Sequence, residues 1–518
     1  MNLMQLVERC VQVNGGGLAT IDGQRQHTWA QTRDRIARLA AGFRQLGCEA
    51  GDRVGILALN SDRYFESLFA VPWAGGVMVP INIRLAPPEV EFWLADSEAK
   101  ILCVDANFAP MIDAVRSNLA GLQHVVYMGE DVPDGMLGFE NLVADNPPMK
   151  PAARDGQDLS GLYYTGGTTG RSKGVMLSHD NQIINALQAS HAFEMGLNSV
   201  YLNVAPMFHA ANMCGMLSAT LSAATHTFIA GFEPERTMRV IEKHKVTHAV
   251  MVPTMINMLV HHPAIGNYDL SSMKLMLYGG SPMAESVIAR VEEVLPKLRM
   301  VQGYGQTETS PLLTLLYPEY HVFEGPLAGK TKSAGQVVPG TDLAIMDEIG
   351  RVLETGQVGE VCARGPNIML GYWNLPEQTA QTIRDGWIHT GDGGYIDEDG
   401  FLFVSDRLKD MIVSGGENVY SIEVENALFK HPSVEACAVI GIPSEQWGEE
   451  VHAVVILAAG KQATVEDLIR HCQQLIAGYK CPRSISFRDE PLPLSGAGKV
   501  LKRELREPFW RGQDRRVG

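Results

Sequence analysis

The sequence predicts an α/β protein with a large, multi-subdomain N-terminal body and a small, mobile α+β C-terminal domain. Three observations carry this expectation. Short apolar runs alternate with helical patterns through the first half of the chain. The texture turns Gly- and turn-rich after about residue 335, as a β-rich section requires. The last hundred or so residues return to mixed helix and strand patterns. At roughly 100–200 residues per domain, 518 residues leave room for several such units.

In chain order, Thr28 opens a helix. Thr28-x-x-Gln31 fits a capping box, and Trp29, Ile36, Leu39, Phe43 and Leu46 follow at helical spacing before Gly47 stops it. The runs Val54–Ala58, Ile101–Val104, Val125–Met128, Ala249–Val252 and Leu275–Tyr278 read as strands of largely parallel sheets. In such sheets ligands gather beyond the carboxyl ends of the strands. Gly356, Gly359, Gly365, Gly371 and the turn Asp397–Gly400 mark the β-rich section. Helix and strand patterns return at Ser421–Phe429 and Val451–Leu457. The boundary is expected near Ser405–Lys409, giving a body over 1–405 and a lid over 406–518.

Composition narrows the function classes. The chain is 45% hydrophobic and 20% charged, ordinary globular stock. Its net charge of −16 makes it a poor general binder of nucleic acid or anionic membrane. Residues 470–518 hold eleven Lys/Arg against five Asp/Glu. A basic tail on an acidic body suits a local polyanion or a solvated face equally. The eight cysteines form no C-x-x-C pair and no Cys/His set at zinc spacing, which reads as reduced thiols in a cytoplasmic protein. The N-terminus has no charged-then-apolar signal pattern. The longest apolar run, Leu68–Pro80, contains two prolines and two glycines and falls short of the about twenty residues a membrane-spanning helix needs. No integral membrane segment and no nucleic-acid partner are expected; a homodimer is left open.

The loudest motif is Tyr164-Thr-Gly-Gly-Thr-Thr-Gly-Arg-Ser-Lys-Gly174. Glycines let backbone N–H groups approach a phosphate chain, hydroxyls donate, and the ammonium offsets charge. Thr165, Gly166, Gly167, Thr168, Thr169, Gly170 and Lys173 are therefore candidate phosphate contacts. The loop is not a Walker A motif, because Ser172 stands where Gly must precede Lys.

Further motifs follow in order: Gly279-Gly-Ser-Pro282, Gln302-Gly-Tyr-Gly-Gln-Thr-Glu308, His389-Thr-Gly-Asp392, Ser405-Asp-Arg-Leu-Lys409, Ser414-Gly-Gly-Glu-Asn418 and Gly498-Lys499-Val-Leu-Lys-Arg503. With the phosphate loop, they make the whole chain resemble the acyl- and aryl-CoA synthetases of the adenylate-forming superfamily. The resemblance implies an enzyme that activates a carboxylic acid with ATP and Mg2+ as an acyl adenylate, then hands the acyl group to coenzyme A. A carboxylate is a weak electrophile, and the adenylate gives it AMP as leaving group. The approach of a carboxylate to a triphosphate calls for cations and donors.

On this resemblance Glu308 is the magnesium ligand and Thr307 a contact of the α-phosphate. Tyr304, between Gly303 and Gly305, suits adenine stacking. Gly280, Ser281 and Gln302 supply the walls of the slot. Asp392 and Arg407 suit the ribose hydroxyls. Lys499 is expected to bridge the substrate carboxylate and the α-phosphate, Lys409 to be the hinge, and Gly415 and Gly416 to line the pantetheine tunnel. Trp447, Tyr479, Lys480 and Arg483 are expected at the coenzyme's nucleotide, although Cys481 stands where relatives tend to carry a basic residue.

His209, in Pro206-Met-Phe-His-Ala-Ala-Asn212, falls where the resemblance places the acid-pocket entrance. It cannot receive an α-ammonium as an aspartate would, which disfavours amino acids. Ala210, Ala211 and Gly215 are small and imply a roomy pocket. Val252, Thr254, Gly280, Gly303 and Leu312 complete an expected, mostly apolar lining without Arg or Lys, which disfavours dicarboxylates. A medium- or long-chain fatty acid or an aryl acid fits. Two alternatives stand beside this reading: an adenylating enzyme that loads an acyl-carrier protein, and a catalytically dead nucleotide-binding homologue. The intact Lys173, Glu308, Asp392 and Lys499 argue against the second.

Overall fold

The computed structural model describes residues 1–165, 172–281, 283–407, 411–414, 417–444, 446–494 and 500–511, with the backbone alone at 406, 407, 413, 417 and 418. Gly166, Gly167, Thr168, Thr169, Gly170, Lys409, Gly415, Gly416 and Lys499 lie outside the described residues, as does the side chain of Arg407.

Each of the five apolar runs lands on a strand, at Arg53–Leu57, Ala99–Val104, His124–Tyr127, His248–Met251 and Leu275–Gly279. The first three lie in an eight-stranded sheet and the other two in a nine-stranded one. Both have parallel centres: Val77–Pro80, Arg53–Leu57, Ala99–Val104 and His124–Tyr127 in the first, and Thr225–Phe228, Val200–Asn203, His248–Met251, Leu275–Gly279 and Arg299–Tyr304 in the second. Their near-continuous apolar sequence follows from burial on both faces. Arg53–Leu57 and His248–Met251 are almost wholly buried.

The helix Trp29–Gln45 forms as expected. Thr28 Oγ1 accepts from the Gln31 N–H at 3.3 Å, and Gln31 Oε1 accepts from the Thr28 N–H at 2.8 Å. Gly47 ends it with φ +82°, a left-handed conformation that glycine enters without a Cβ penalty. One apolar core joins this helix to both sheets, with Trp29, Phe43, Trp73 and Tyr201 fully buried in it.

A third, five-stranded sheet holds the Gly-rich section: Asp342–Met346, Gly359–Arg364, Ile383–Arg384, Trp387–Ile396 and Leu402–Arg407. A fourth contains Ile412–Ser414, Glu417–Val419, Val434–Ser444, Gly448–Leu457 and Ser484–Phe487. It has its own core of Val439, Val451, Leu468 and Cys472, covered by the helices Ser421–Phe429 and Val465–Gln473. All eight cysteines are buried and free. Among the described residues no helix is long and apolar enough to cross a membrane.

Candidate active site

Four parallel strands of the nine-stranded sheet deliver their carboxyl ends to one cleft. Val200–Asn203 leads to His209, His248–Met251 to Val252 and Thr254, Leu275–Gly279 to Gly280 and Ser281, and Arg299–Tyr304 to Thr307 and Glu308; all of these residues line the cleft. From the other sheet, Leu159–Thr165 and Lys173–Ser178 pair antiparallel with Thr165 opposite Lys173. Thr165 and Lys173, which flank the candidate phosphate loop in sequence, both line the cleft. The cleft measures about 2410 Å3. A single small-molecule site takes roughly 300–1,000 Å3, so there is space for a nucleotide and an acid together.

Glu308 sits on the short 3-10 turn Thr307–Thr309 and is buried. The Tyr372 hydroxyl donates to Glu308 Oε1 at 2.9 Å, and the Lys173 ammonium lies 4.9 Å from the Tyr372 ring centroid. Tyr372 thereby links the loop lysine to the buried carboxylate. Sequence reasoning missed it, because nothing in its spacing shows that Gly371–Tyr372 pairs with Lys173–Ser178. Glycines fit where backbones crowd. A Cβ on Gly305 would collide with the Pro311 carbonyl.

Across the cleft, Tyr304 Oη donates to Asp392 Oδ2 at 2.8 Å, and Asp392 lies opposite Arg407 in the strand pairing. The turn before Asp392 is held by a residue the sequence did not flag. Glu360 Oε1 accepts from the Gly391 N–H at 2.9 Å, and Oε2 lies 2.7 Å from His389 Nδ1. Cys362 Sγ is 3.3 Å from the same nitrogen. Burial is the main cause that pushes this thiol up to about 12, with Glu360 adding to it. The ligating atoms of Glu360, Cys362 and His389 lie within 4.8 Å of one another. The imidazole–carboxylate bond accounts for that closeness.

His209 is half-buried and caps the helix Ala210–Leu221, its Nδ1 accepting from the Ala211 N–H at 3.2 Å. His209, Ala210, Ala211, Gly215, Val252, Thr254, Gly280, Gly303 and Leu312 all line the cleft, as do Gln302 and Tyr304. One inference needs correction. The space Gly215 spares is not pocket volume, because a Cβ there would strike Tyr201 Oη and Val250. Gly303 likewise makes room for Leu312, whose Cδ2 would lie 2.6 Å from a Cβ.

The C-terminal candidates separate. The Arg483 guanidinium stacks 4.1 Å from the Trp447 ring centroid. Lys480 is engaged at 2.8 Å by both oxygens of Glu423, the main cause of its raised pKa, and lies 5.7 Å from the Tyr479 ring. Cys481, which stands where relatives tend to carry a basic residue, is buried in the core of the fourth sheet with Val451 and Leu468. Of Trp447, Tyr479, Lys480 and Arg483, none belongs to the cleft lining.

Comparison with known proteins gives the family. The family model described as AMP-binding enzyme matches residues 7–373, and that of the AMP-binding enzyme C-terminal domain matches 423–499. A feruloyl-CoA synthase of an Amycolatopsis species is 41% identical over 93% of this chain and 94% of its own. A fatty acid–[acyl-carrier-protein] ligase of Streptomyces coeruleorubidus is 36% identical over 95% and 93%. The solved anthranilate CoA ligase AuaEII, in complex with anthranoyl-AMP, superposes with a TM-score of 0.92 at 28% identity, covering 98% of this chain and 97% of that one.

Proposed function

The chain belongs to the AMP-binding enzyme family, and on that premise we propose that it is an AMP-forming acid:CoA ligase for a medium- or long-chain fatty acid or an aryl acid. The observation that carries this reading is the convergence of Lys173, Glu308 and Asp392 with the apolar acid lining on one cleft.

In the first half-reaction the acid's carboxylate oxygen attacks the α-phosphorus of ATP, a new O–P bond forms, and pyrophosphate leaves. Lys173 and the loop before it neutralise the β- and γ-phosphates, and Thr307 donates to the α-phosphate. Asp392 accepts from the ribose hydroxyls, its carboxylate held by Tyr304, with Arg407 beside it. Adenine stacks on Tyr304. Lys499 offsets the charge that develops in line. Glu308 is the residue that would hold Mg2+. A carboxylate suits a hard cation, and among the described residues Oε2 of Glu308 has no hydrogen-bond partner. Bound there, Mg2+ supplies charge neutralisation at the phosphates.

In the second half-reaction the coenzyme A thiolate attacks the acyl carbon and AMP departs. Gly415 and Gly416 line the path of the pantetheine arm. Trp447 and Arg483 meet the nucleotide end, with Tyr479 and Lys480 nearby. The two steps need different groups at one place, so the C-terminal part rotates about Lys409. That residue lies between Leu402–Arg407, in the third sheet, and Ile412–Ser414, in the fourth. Its body spans 1–405 and its lid 406–518. The buried free cysteines suit a reducing cytoplasm.

The test is AMP and pyrophosphate release with a panel of ferulate, indole-3-acetate, octanoate and palmitate, with and without coenzyme A. Acid-dependent thioester formation supports the reading; no release with any acid overturns it. The acyl-carrier-protein ligase among the relatives favours one alternative acceptor. Thioester formation on a holo-carrier protein but not on coenzyme A would select it.

A further inference from the structure

We propose that Asn60 is a positioning residue for the acid-binding wall. It stands three residues beyond the Arg53–Leu57 strand of the eight-stranded sheet, yet its side chain serves the other sheet. Its Nδ2 donates to the carbonyls of Asn203 at 3.1 Å and Ala205 at 2.9 Å, and its Oδ1 accepts from the Met207 N–H at 2.8 Å. Asn60 is 7% exposed. Only a carboxamide offers two N–H donors and one carbonyl acceptor together, and this one uses all three on a single segment.

That segment is the way into the acid wall. Ala205, Pro206, Phe208, His209 and Ala210 all line the cleft. No regular ladder holds the stretch between the strand Val200–Asn203 and the helix Ala210–Leu221, and Pro206 has no N–H of its own to give. A second latch closes its far end. Asn212 Nδ2 donates to Asn203 Oδ1 at 3.2 Å, and Tyr201 Oη donates to Asn212 Oδ1 at 3.1 Å. Asn60 therefore fixes the backbone two residues before His209 from the side of the other sheet. The Asn203 carbonyl would keep the Ile229 N–H, which donates to it at 3.2 Å, but without Asn60 the Ala205 carbonyl and the Met207 N–H lose their partner, and the segment shifts to recover them. The acid's wall moves, while the Lys173–Tyr372–Glu308 chain stays where it is.

The inference rests on the reading that His209 faces the acid, and the experiment separates the two. Steady-state constants are measured for Asn60→Ala, Asn60→Asp and His209→Ala, using the best acid of the panel. Asn60→Ala is expected to raise the acid KM about tenfold and to leave the ATP KM within about twofold. Asn60→Asp keeps the acceptor for Met207 but turns a carboxylate toward two carbonyls, which favours its protonated, donating form. Its acid KM should fall toward the wild-type value between about pH 8 and about pH 6, relative to the wild-type profile. An unchanged acid KM, a parallel rise of both KM values, or an Asn60→Asp profile that parallels wild type overturns the proposal. If Asn60→Ala does not fold, Asn60→Ser and Asn60→Asp decide by the same split. A response at His209 but not at Asn60 defeats this inference alone. A response at Asn60 but not at His209 removes His209 from the acid wall.

Discussion

The body and the C-terminal part hold their candidate residues in different ways. In the body, Lys173, Tyr372 and Glu308 touch in sequence, and Tyr304 bonds Asp392 across the same cleft. These groups come from both large sheets and the third sheet, and packing has already brought them together. In the C-terminal part the candidates pair among themselves. Arg483 stacks on Trp447, Lys480 is taken by Glu423, and Cys481 faces inward. The first arrangement is pre-organised for charge stabilisation. On the proposed hinge at Lys409, the second would be brought to its task by a domain rotation.

The largest effects test that contrast directly. Lys499→Ala and Glu308→Gln, one from each part, are expected to slow adenylate formation by a factor on the order of 10²–10³. Both should largely spare thioester formation from a supplied acyl adenylate, because the charge they handle belongs to the first step. Single-turnover assays of each half-reaction read the outcome. If Lys499→Ala lowers both steps alike, its effect is on folding or docking and the contrast fails for the tail. Next comes Lys409→Pro, which fixes φ near about −65° and removes a backbone donor. It should keep acid-dependent pyrophosphate release and lose most thioester formation; equal retention of both would remove the hinge from Lys409.

What the sequence made legible was local or consecutive. The capping box Thr28–Gln31 and the stop at Gly47 are short-range chemistry. The parallel strands read as apolar runs because both faces are buried. The proposed acid-lining residues could be brought to one cleft from sequence because they sit at the ends of those strands. The residues that were not legible act across large separations. Tyr372 reaches Glu308 over 64 positions, Glu360 reaches Gly391 over 31, and Asn60 reaches Met207 over 147. No periodicity encodes such pairs. Gly215 misled for the opposite reason: its smallness was visible, but the direction its missing side chain would take was not.

Tyr372 sharpens the picture of the body. Tyr372→Phe keeps the ring beneath Lys173 and removes only the hydroxyl on Glu308. Loss of a hydrogen bond to a charged group lowers adenylation kcat/KM by about tenfold, and the Mg2+ needed for half-maximal rate should rise. Tyr372→Leu removes the ring as well and should cost more. Equal rates for wild type and Tyr372→Phe across a Mg2+ titration would leave Tyr372 a packing residue only.

The smallest expected effect concerns the C-terminal part and its cations. Lys480 is neutralised by Glu423, whereas Arg483 forms no ion pair among the described residues and lies over Trp447. A cation already paired has little left for an incoming phosphate. Arg483→Ala should therefore raise the coenzyme A KM more than Lys480→Ala does. Trp447→Ala removes the surface on which the guanidinium rests, a contact worth about 0.5–1 kcal/mol at an exposed site, or roughly two- to fivefold in KM. All three variants should leave acid-dependent pyrophosphate release unchanged, since none lies on the cleft lining. The Arg483→Ala effect should also shrink as salt rises, because exposed charges are screened within roughly 10 Å at 0.1 M. If Lys480→Ala proves the more damaging, the Glu423 pair opens when coenzyme A binds, and the residues of this part rearrange in use while those of the body do not.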